Sequence, residues 1–204
     1  MRRYGSTNGM TIGVTFSGRS QLEDPEDALG LYINTLPVSI ESSFNTKLLD
    51  YFMNLQNGQA AHENHGWIGL SKIQKLSPHT APKLFDTIFV FENVPKTDQN
   101  DLPDGIQCID TDGHDSVNSR YSFGVFPGDE LRFRLTFQQG ALDSWIANQF
   151  MSEFIMLADI VTKSDNCLIA EVMGQLTQEK SQYDSMTGKV LLPNSQLFFA
   201  GLKE

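Results

Sequence analysis

The sequence predicts an α/β fold in which a mixed β-sheet is covered by amphipathic helices. Three observations carry the prediction. Apolar residues alternate with polar or small ones over residues 11–16 and again over residues 121–137, the period of half-buried strands. Residues 85–91 form a near-continuous run of apolar and aromatic residues, the mark of a strand covered on both faces. Residues 48–55 and 146–161 instead place apolar side chains at helical spacing, giving each an apolar stripe for a sheet. At 204 residues and 40% hydrophobic content, the chain can bury one good core, and one domain is the default.

Taken in order, residues 1–9 are a polar, glycine-bearing lead-in. Ile12, Val14 and Phe16 then alternate with Thr11, Gly13 and Thr15, and the strand breaks at Ser17-Gly18-Arg19, where glycine permits close backbone approach. Glu23, Asp24, Glu26 and Asp27 surround Pro25 in what reads as a solvated loop. The stretch LGLYINTLPVSI, residues 29–40, reads as a second strand that ends at a site. Pro37 can donate no ladder hydrogen bond, and the side chains of Asn34 and Thr35 can bond to backbone. Asn45 is the expected cap of a helix whose Leu48, Phe52 and Leu55 face the core, with Leu49 and Met53 beside them. Gly58, which costs about 1 kcal/mol relative to alanine in a helix, is expected to bend or break it before Ala60. HENHGW closes the segment, and Leu70, Ile73 and Leu76 form a short amphipathic turn.

The strand of residues 85–91 is followed by a polar crossing segment, residues 94–104, and by a short strand at residues 106–110. Tyr121, Phe123 and Val125 pair through a Pro127-Gly128-Asp129 turn with Leu131, Phe133, Leu135 and Phe137, leaving Arg132, Arg134 and Thr136 on a wet face. A helix from near Asp143 carries Ile146, Phe150, Phe154, Leu157 and Val161 on one stripe. Beyond Gly174 the pattern thins, and residues 178–194 read as a linker before the apolar Leu197-Phe198-Phe199.

The formal charge of −10 argues against nucleic-acid and anionic-membrane surfaces, because either encounter begins with repulsion. No stretch approaches the length of a membrane span. Cys108 and Cys167 have no paired spacing, and the basic Met1-Arg2-Arg3 leads into polar residues rather than an apolar segment, so a reducing cytoplasm is the expected setting. His62 and His65 flank Glu63, but three apart rather than the four of the HExxH zinc signature. No GxSxG elbow, P-loop or GxGxxG is present.

Four motifs in fixed order carry a resemblance: SGR, LGLYINTLPV, HENHGWIGL and KLFDTIFVFENVP. Together they resemble the carboxyl half of the condensation domains of nonribosomal peptide synthetases, over roughly residues 4–173. The resemblance implies a chloramphenicol-acetyltransferase-like lobe, with residues 174–204 as a linker or tail. It implies amide-bond formation between aminoacyl or peptidyl thioesters, which peptidyl carrier proteins deliver on phosphopantetheine, with no cofactor bound directly. The family's HHxxxDG motif, with its catalytic histidine, is absent from these 204 residues. The expected partner is therefore an amino-terminal lobe, and the chain alone is expected to be inactive.

The resemblance also places Ser17, Gly18, Arg19, Asn34 and Thr35 at the substrate tunnel or lobe junction, and gives His62, Asp86, Glu92 and Asn93 structural roles. The residues themselves leave alternatives open. Ser17 and Arg19 suit a carbonyl or oxyanion, but Arg19 suits equally a local clamp on Glu23 or Asp24. Asn34 and Thr35 suit a junction, or plain satisfaction of backbone. A lobe parted from its mate should expose an apolar face and self-associate. Two other classes fit: a non-catalytic docking module for a carrier or tailoring protein, and an acyltransferase completed by dimerisation, which would need His62 or His65.

Overall fold

The computed structural model describes residues 9–21, 29–77, 83–92, 119–128, 130–164, 166–186 and 196–200. Its six strands are β1 (Gly9–Ser17), β2 (Ile33–Glu41), β3 (Thr87–Phe91), β4 (Tyr121–Phe126), β5 (Arg132–Phe137) and β6 (Gln196–Ala200). They form one mixed sheet in the order β2-β1-β3-β4-β5-β6. The β1–β2, β4–β5 and β5–β6 pairs are antiparallel, whereas β1–β3 and β3–β4 are parallel. Four helices accompany the sheet: α1 (Leu48–Glu63), α2 (Leu70–Leu76), α3 (Ser144–Lys163) and α4 (Ile169–Met186).

The registers sort side chains onto two faces. Phe16, Leu36, Phe89, Phe123 and Leu135 share one face, because directly paired residues point the same way. That face holds the main core, where Phe123, Val125, Phe133, Leu135 and Phe137 pack under Ala147 and Met151 of α3. The Phe154 ring meets Phe123 at 4.7 Å and Phe133 at 5.0 Å, both edge-on, the geometry that ring quadrupoles favour. A second cluster ties Leu48 of α1 to Ile160 of α3 and to Val172 and Leu176 of α4. The opposite face carries Thr11 bonded to Ser39 (3.0 Å) and Thr15 bonded to Thr35 (3.4 Å).

Four expectations are corrected. Asn45 does not cap α1: Lys47 holds that position without a side-chain bond, and the N–H groups of Leu48 and Leu49 go to Cys167 O (2.8 Å) and Asn166 Oδ1 (3.2 Å). Gly58 does not break α1, which runs unbroken to Glu63. The stripe expected to face the core is buried only at Leu48, while Phe52 is 42% and Met53 53% exposed. On α3 the expected stripe holds at Phe150, Phe154, Leu157 and Val161, which pack against the two clusters, with Ala147 and Met151 fully buried beside it. Finally, the segment read as a linker from residue 178 is helical to Met186. Lys180 on it bonds the buried Glu153 of α3, an ion pair no local pattern announces. The expected strand at residues 106–110 lies outside the described residues.

Candidate functional site

The topology gathers the sequence-selected residues at one end of the sheet. β1, β3 and β4 are mutually parallel, so their carboxyl ends coincide, and the antiparallel β2 and β5 begin there. Ser17-Gly18-Arg19, Ile33-Asn34 and Phe91-Glu92 all stand at that end, as do Phe126 and Arg132. This is where open α/β sheets form their ligand crevices, since the chain must leave the sheet and its loops diverge.

At the corner, a single 3₁₀ turn over Gly18–Gln21 follows β1. Gly18 N–H donates to the Tyr32 carbonyl at 3.1 Å. A Cβ at Gly18 would stand 2.6 Å from that carbonyl oxygen, so only glycine admits this approach. Ser17 is exposed, and the Arg19 guanidinium lies over the Tyr32 ring, 5.4 Å from its centroid. The clamp partners Glu23 and Asp24 lie outside the described residues; within them, Arg19 is steadied by a cation–π contact that the sequence reading missed.

Asn34 is the most completely engaged of these residues. Its Nδ2 donates to Gly66 O (2.6 Å) and Ile68 O (2.9 Å), and its Oδ1 accepts from Thr35 N–H (2.9 Å). The strand edge is thereby tied to the connection between α1 and α2. His62 lies nearby, its ring stacked 6.3 Å from Phe16 at 10°, with Nδ1 bonded to Gly58 O at 2.5 Å. That bond fixes the ring and makes Nδ1 the protonated nitrogen of the neutral form. Between β2 and the α1–α2 connection lies a cleft of about 280 Å³ with apolar walls, lined by Leu36, Ala61, His62 and Ile73 among others.

The other selected residues divide. Glu92 sits at the same end, its N–H bonded to Val125 O at 2.8 Å. Asp86 stands at the opposite end of β3, where its carbonyl accepts from Tyr121 N–H at 3.1 Å, a strand-end bond remote from the rim. Asn93 lies outside the described residues. Sequence reasoning expected an exposed apolar face without naming its residues: Leu29, Leu31 and Ile33 are 97%, 91% and 63% exposed, and Phe91 is 54% exposed. Leu29 and Leu31 precede β2, which begins at Ile33, and their odd-numbered spacing was visible in the sequence.

Comparison with known proteins agrees with this architecture. The chain is 27% identical over 177 residues to bacitracin synthase 3 of Bacillus licheniformis, covering 84% of the chain but 3% of that synthase. It is 26% identical over 200 residues to gramicidin S synthase 2 of Brevibacillus brevis, covering 92% of the chain and 4% of that synthase. Among solved structures, the starter condensation domain of the rhizomide synthetase superposes with a TM-score of 0.61 at 12% identity, over 82% of this chain and 40% of that one. A four-domain nonribosomal peptide synthetase bound to AMP and glycine superposes with a TM-score of 0.62 at 17% identity, over 81% of this chain and 14% of that one. The chain thus spans a small part of the synthases it resembles. The family model for the condensation domain matches residues 1–182, and the chain belongs to the condensation domain family.

Proposed function

We propose that this chain serves as the carboxyl-terminal lobe of a nonribosomal peptide synthetase condensation domain. In that reading it forms one wall of the cleft in which two carrier-bound aminoacyl or peptidyl thioesters are joined by an amide bond. The phosphopantetheine thioesters are its substrates, brought by peptidyl carrier proteins, and the setting is the cytoplasm. The observation that carries the reading is the bare rim at the carboxyl ends of β1 and β3. Leu29, Leu31, Ile33 and Phe91 expose apolar surface there beside Ser17 and Arg19. Single exposed aliphatics are ordinary, but four large apolar residues exposed at one end of a sheet suit a surface that another polypeptide covers.

The division of labour follows from chemistry. Amide formation needs a group to orient or deprotonate the attacking amine and donors for the oxyanion of the tetrahedral intermediate. The HHxxxDG motif that the family uses is not in this sequence, so the proton-handling group must come from an amino-terminal lobe. This chain would supply walls and orientation: Ser17 Oγ and the Arg19 guanidinium stand at the rim to meet a carbonyl. His62 is committed to packing, its Nδ1 engaged by Gly58 O and its ring against Phe16, which favours a structural role over that of a catalytic base in a self-completed acyltransferase.

Hydrogen exchange of the chain with and without an amino-terminal lobe carrying HHxxxDG tests the reading. The expected result is new protection of backbone amides between Leu29 and Ile33 when the lobe is added. Unchanged exchange there, with the lobe bound elsewhere or not at all, would contradict it.

A further inference from the structure

β2 is the outermost strand, so one of its edges has no neighbour among the described residues. Which backbone groups face that edge follows from the register. Gly18 N–H donates to Tyr32 O, and the pairing continues as Phe16 with Asn34, Val14 with Leu36 and Ile12 with Val38. In an antiparallel pair alternate residues bond across, so even-numbered residues of β2 face β1. Ile33, Thr35, Pro37 and Ser39 therefore turn their backbone groups outward. Such a row ordinarily templates a further strand. Here it is interrupted. The Thr35 N–H is taken by Asn34 Oδ1, and Pro37 has none to give. Between Ile33 and Ser39 no outward donor is left for a second chain. The same amide donates to Gly66 O and Ile68 O, holding the α1–α2 connection beside the edge.

We propose that Asn34 guards this edge: it occupies the outward donor at Thr35 and staples the α1–α2 connection alongside, so that no strand can extend the sheet across residues 34–38. Any mate of this chain then meets β2 at the exposed row Leu29, Leu31 and Ile33, which precedes the guarded stretch, and does not continue the ladder beyond it. The inference stands on backbone geometry and holds whether or not the function proposed above is correct.

Amide hydrogen exchange and sedimentation velocity on the full chain and three variants test it, with slow exchange across β4 and β5 reporting that each variant is folded. Asn34→Ala removes both halves of the device. Thr35 exchange should accelerate by about tenfold, the worth of one hydrogen bond, and a concentration-dependent association above that of the parent chain should appear. Asn34→Asp keeps the acceptor and removes both donors to the Gly66 and Ile68 carbonyls, so Thr35 should stay slow while the untied α1–α2 connection loosens and the Ile68 amide, bonded within it to His65 O, accelerates. Asn34→Ala combined with Thr35→Pro removes the freed donor and should return association to the parent level. Unchanged Thr35 exchange in Asn34→Ala, or a proline double variant that associates as strongly as Asn34→Ala, overturns the proposal. Where Asn34→Ala does not fold, Asn34→Asp decides alone: slow Thr35 with fast Ile68 upholds the guard, and equal acceleration at both overturns it.

Discussion

Replacing Lys180 should destabilise the fold far more than the loss of an ordinary surface lysine. Its side chain is 14% exposed, and its ammonium bonds the carboxylate of Glu153, whose side chain is 8% exposed, across the seam between α3 and α4. Gln149 Nε2 also donates to Glu153 Oε1 at 3.0 Å. Removing the lysine takes that ion pair from a carboxylate buried in the seam. Breaking one side of a buried pair costs about 3–5 kcal/mol, and because Gln149 still solvates the carboxylate, the lower end, about 3 kcal/mol, applies. With a urea m-value of about 2–3 kcal/mol/M, the midpoint of Lys180→Ala should fall by about 1–1.5 M. Replacing both members with methionine removes the buried charge as well and should be neutral or stabilising by about 1–4 kcal/mol. Urea unfolding followed by far-UV circular dichroism reads both. A cost below about 1 kcal/mol for Lys180→Ala would mean that water screens the pair as it does at a surface, and would refute the packing of α4 on α3.

Other outcomes follow from the same structure. Gly18→Ala forces a methyl against the Tyr32 carbonyl oxygen, which is backbone and cannot step aside, and should cost about 1–3 kcal/mol in urea unfolding. Phe52→Lys should change stability by less than about 0.5 kcal/mol, since that side chain is 42% exposed on α1; a large loss in a thermal melt would show that this face is packed after all. Burial raises the Tyr51 phenol above its ordinary value of 10. The unfolded chain therefore ionises first, and the stability associated with the neutral phenol is intact below pH 10 and lost as pH rises through the raised folded value. Melting temperatures of the parent and Tyr51→Phe should diverge above pH 10, with the parent falling faster; parallel curves would contradict the burial.

What the sequence disclosed, and what it withheld, divides along the range of the interactions. β1 and the β4–β5 hairpin were legible because their period of two is a local pattern set by one covered face. The start of α1 was not, because its orphan N–H groups are met by Cys167 and Asn166, more than a hundred residues away, rather than by the nearby Asn45. The part of α4 from Gln178 reads as a linker because its apolar pattern has thinned; Val172 and Leu176, with Met173 against them, enter the second cluster before it, and the Lys180 contact looks like surface charge until Glu153 is placed opposite. At the site, the motifs pointed to Ser17, Arg19 and Asn34, and the topology brings them to one sheet end. Asp86 stands apart from them because β3 carries it at the opposite end from Glu92. That Asn34 bonds backbone was one of two open readings, and its partners Gly66 and Ile68 lie 32 and 34 residues on, beyond the reach of spacing arguments.

The most direct measurement of the central claim is the rate of amide-bond formation between two loaded carrier proteins, taken with this chain alone, with an amino-terminal lobe carrying HHxxxDG alone, and with both together. The account predicts product only in the last. Product from the chain by itself, or none from the two lobes once they are shown to bind, would contradict it.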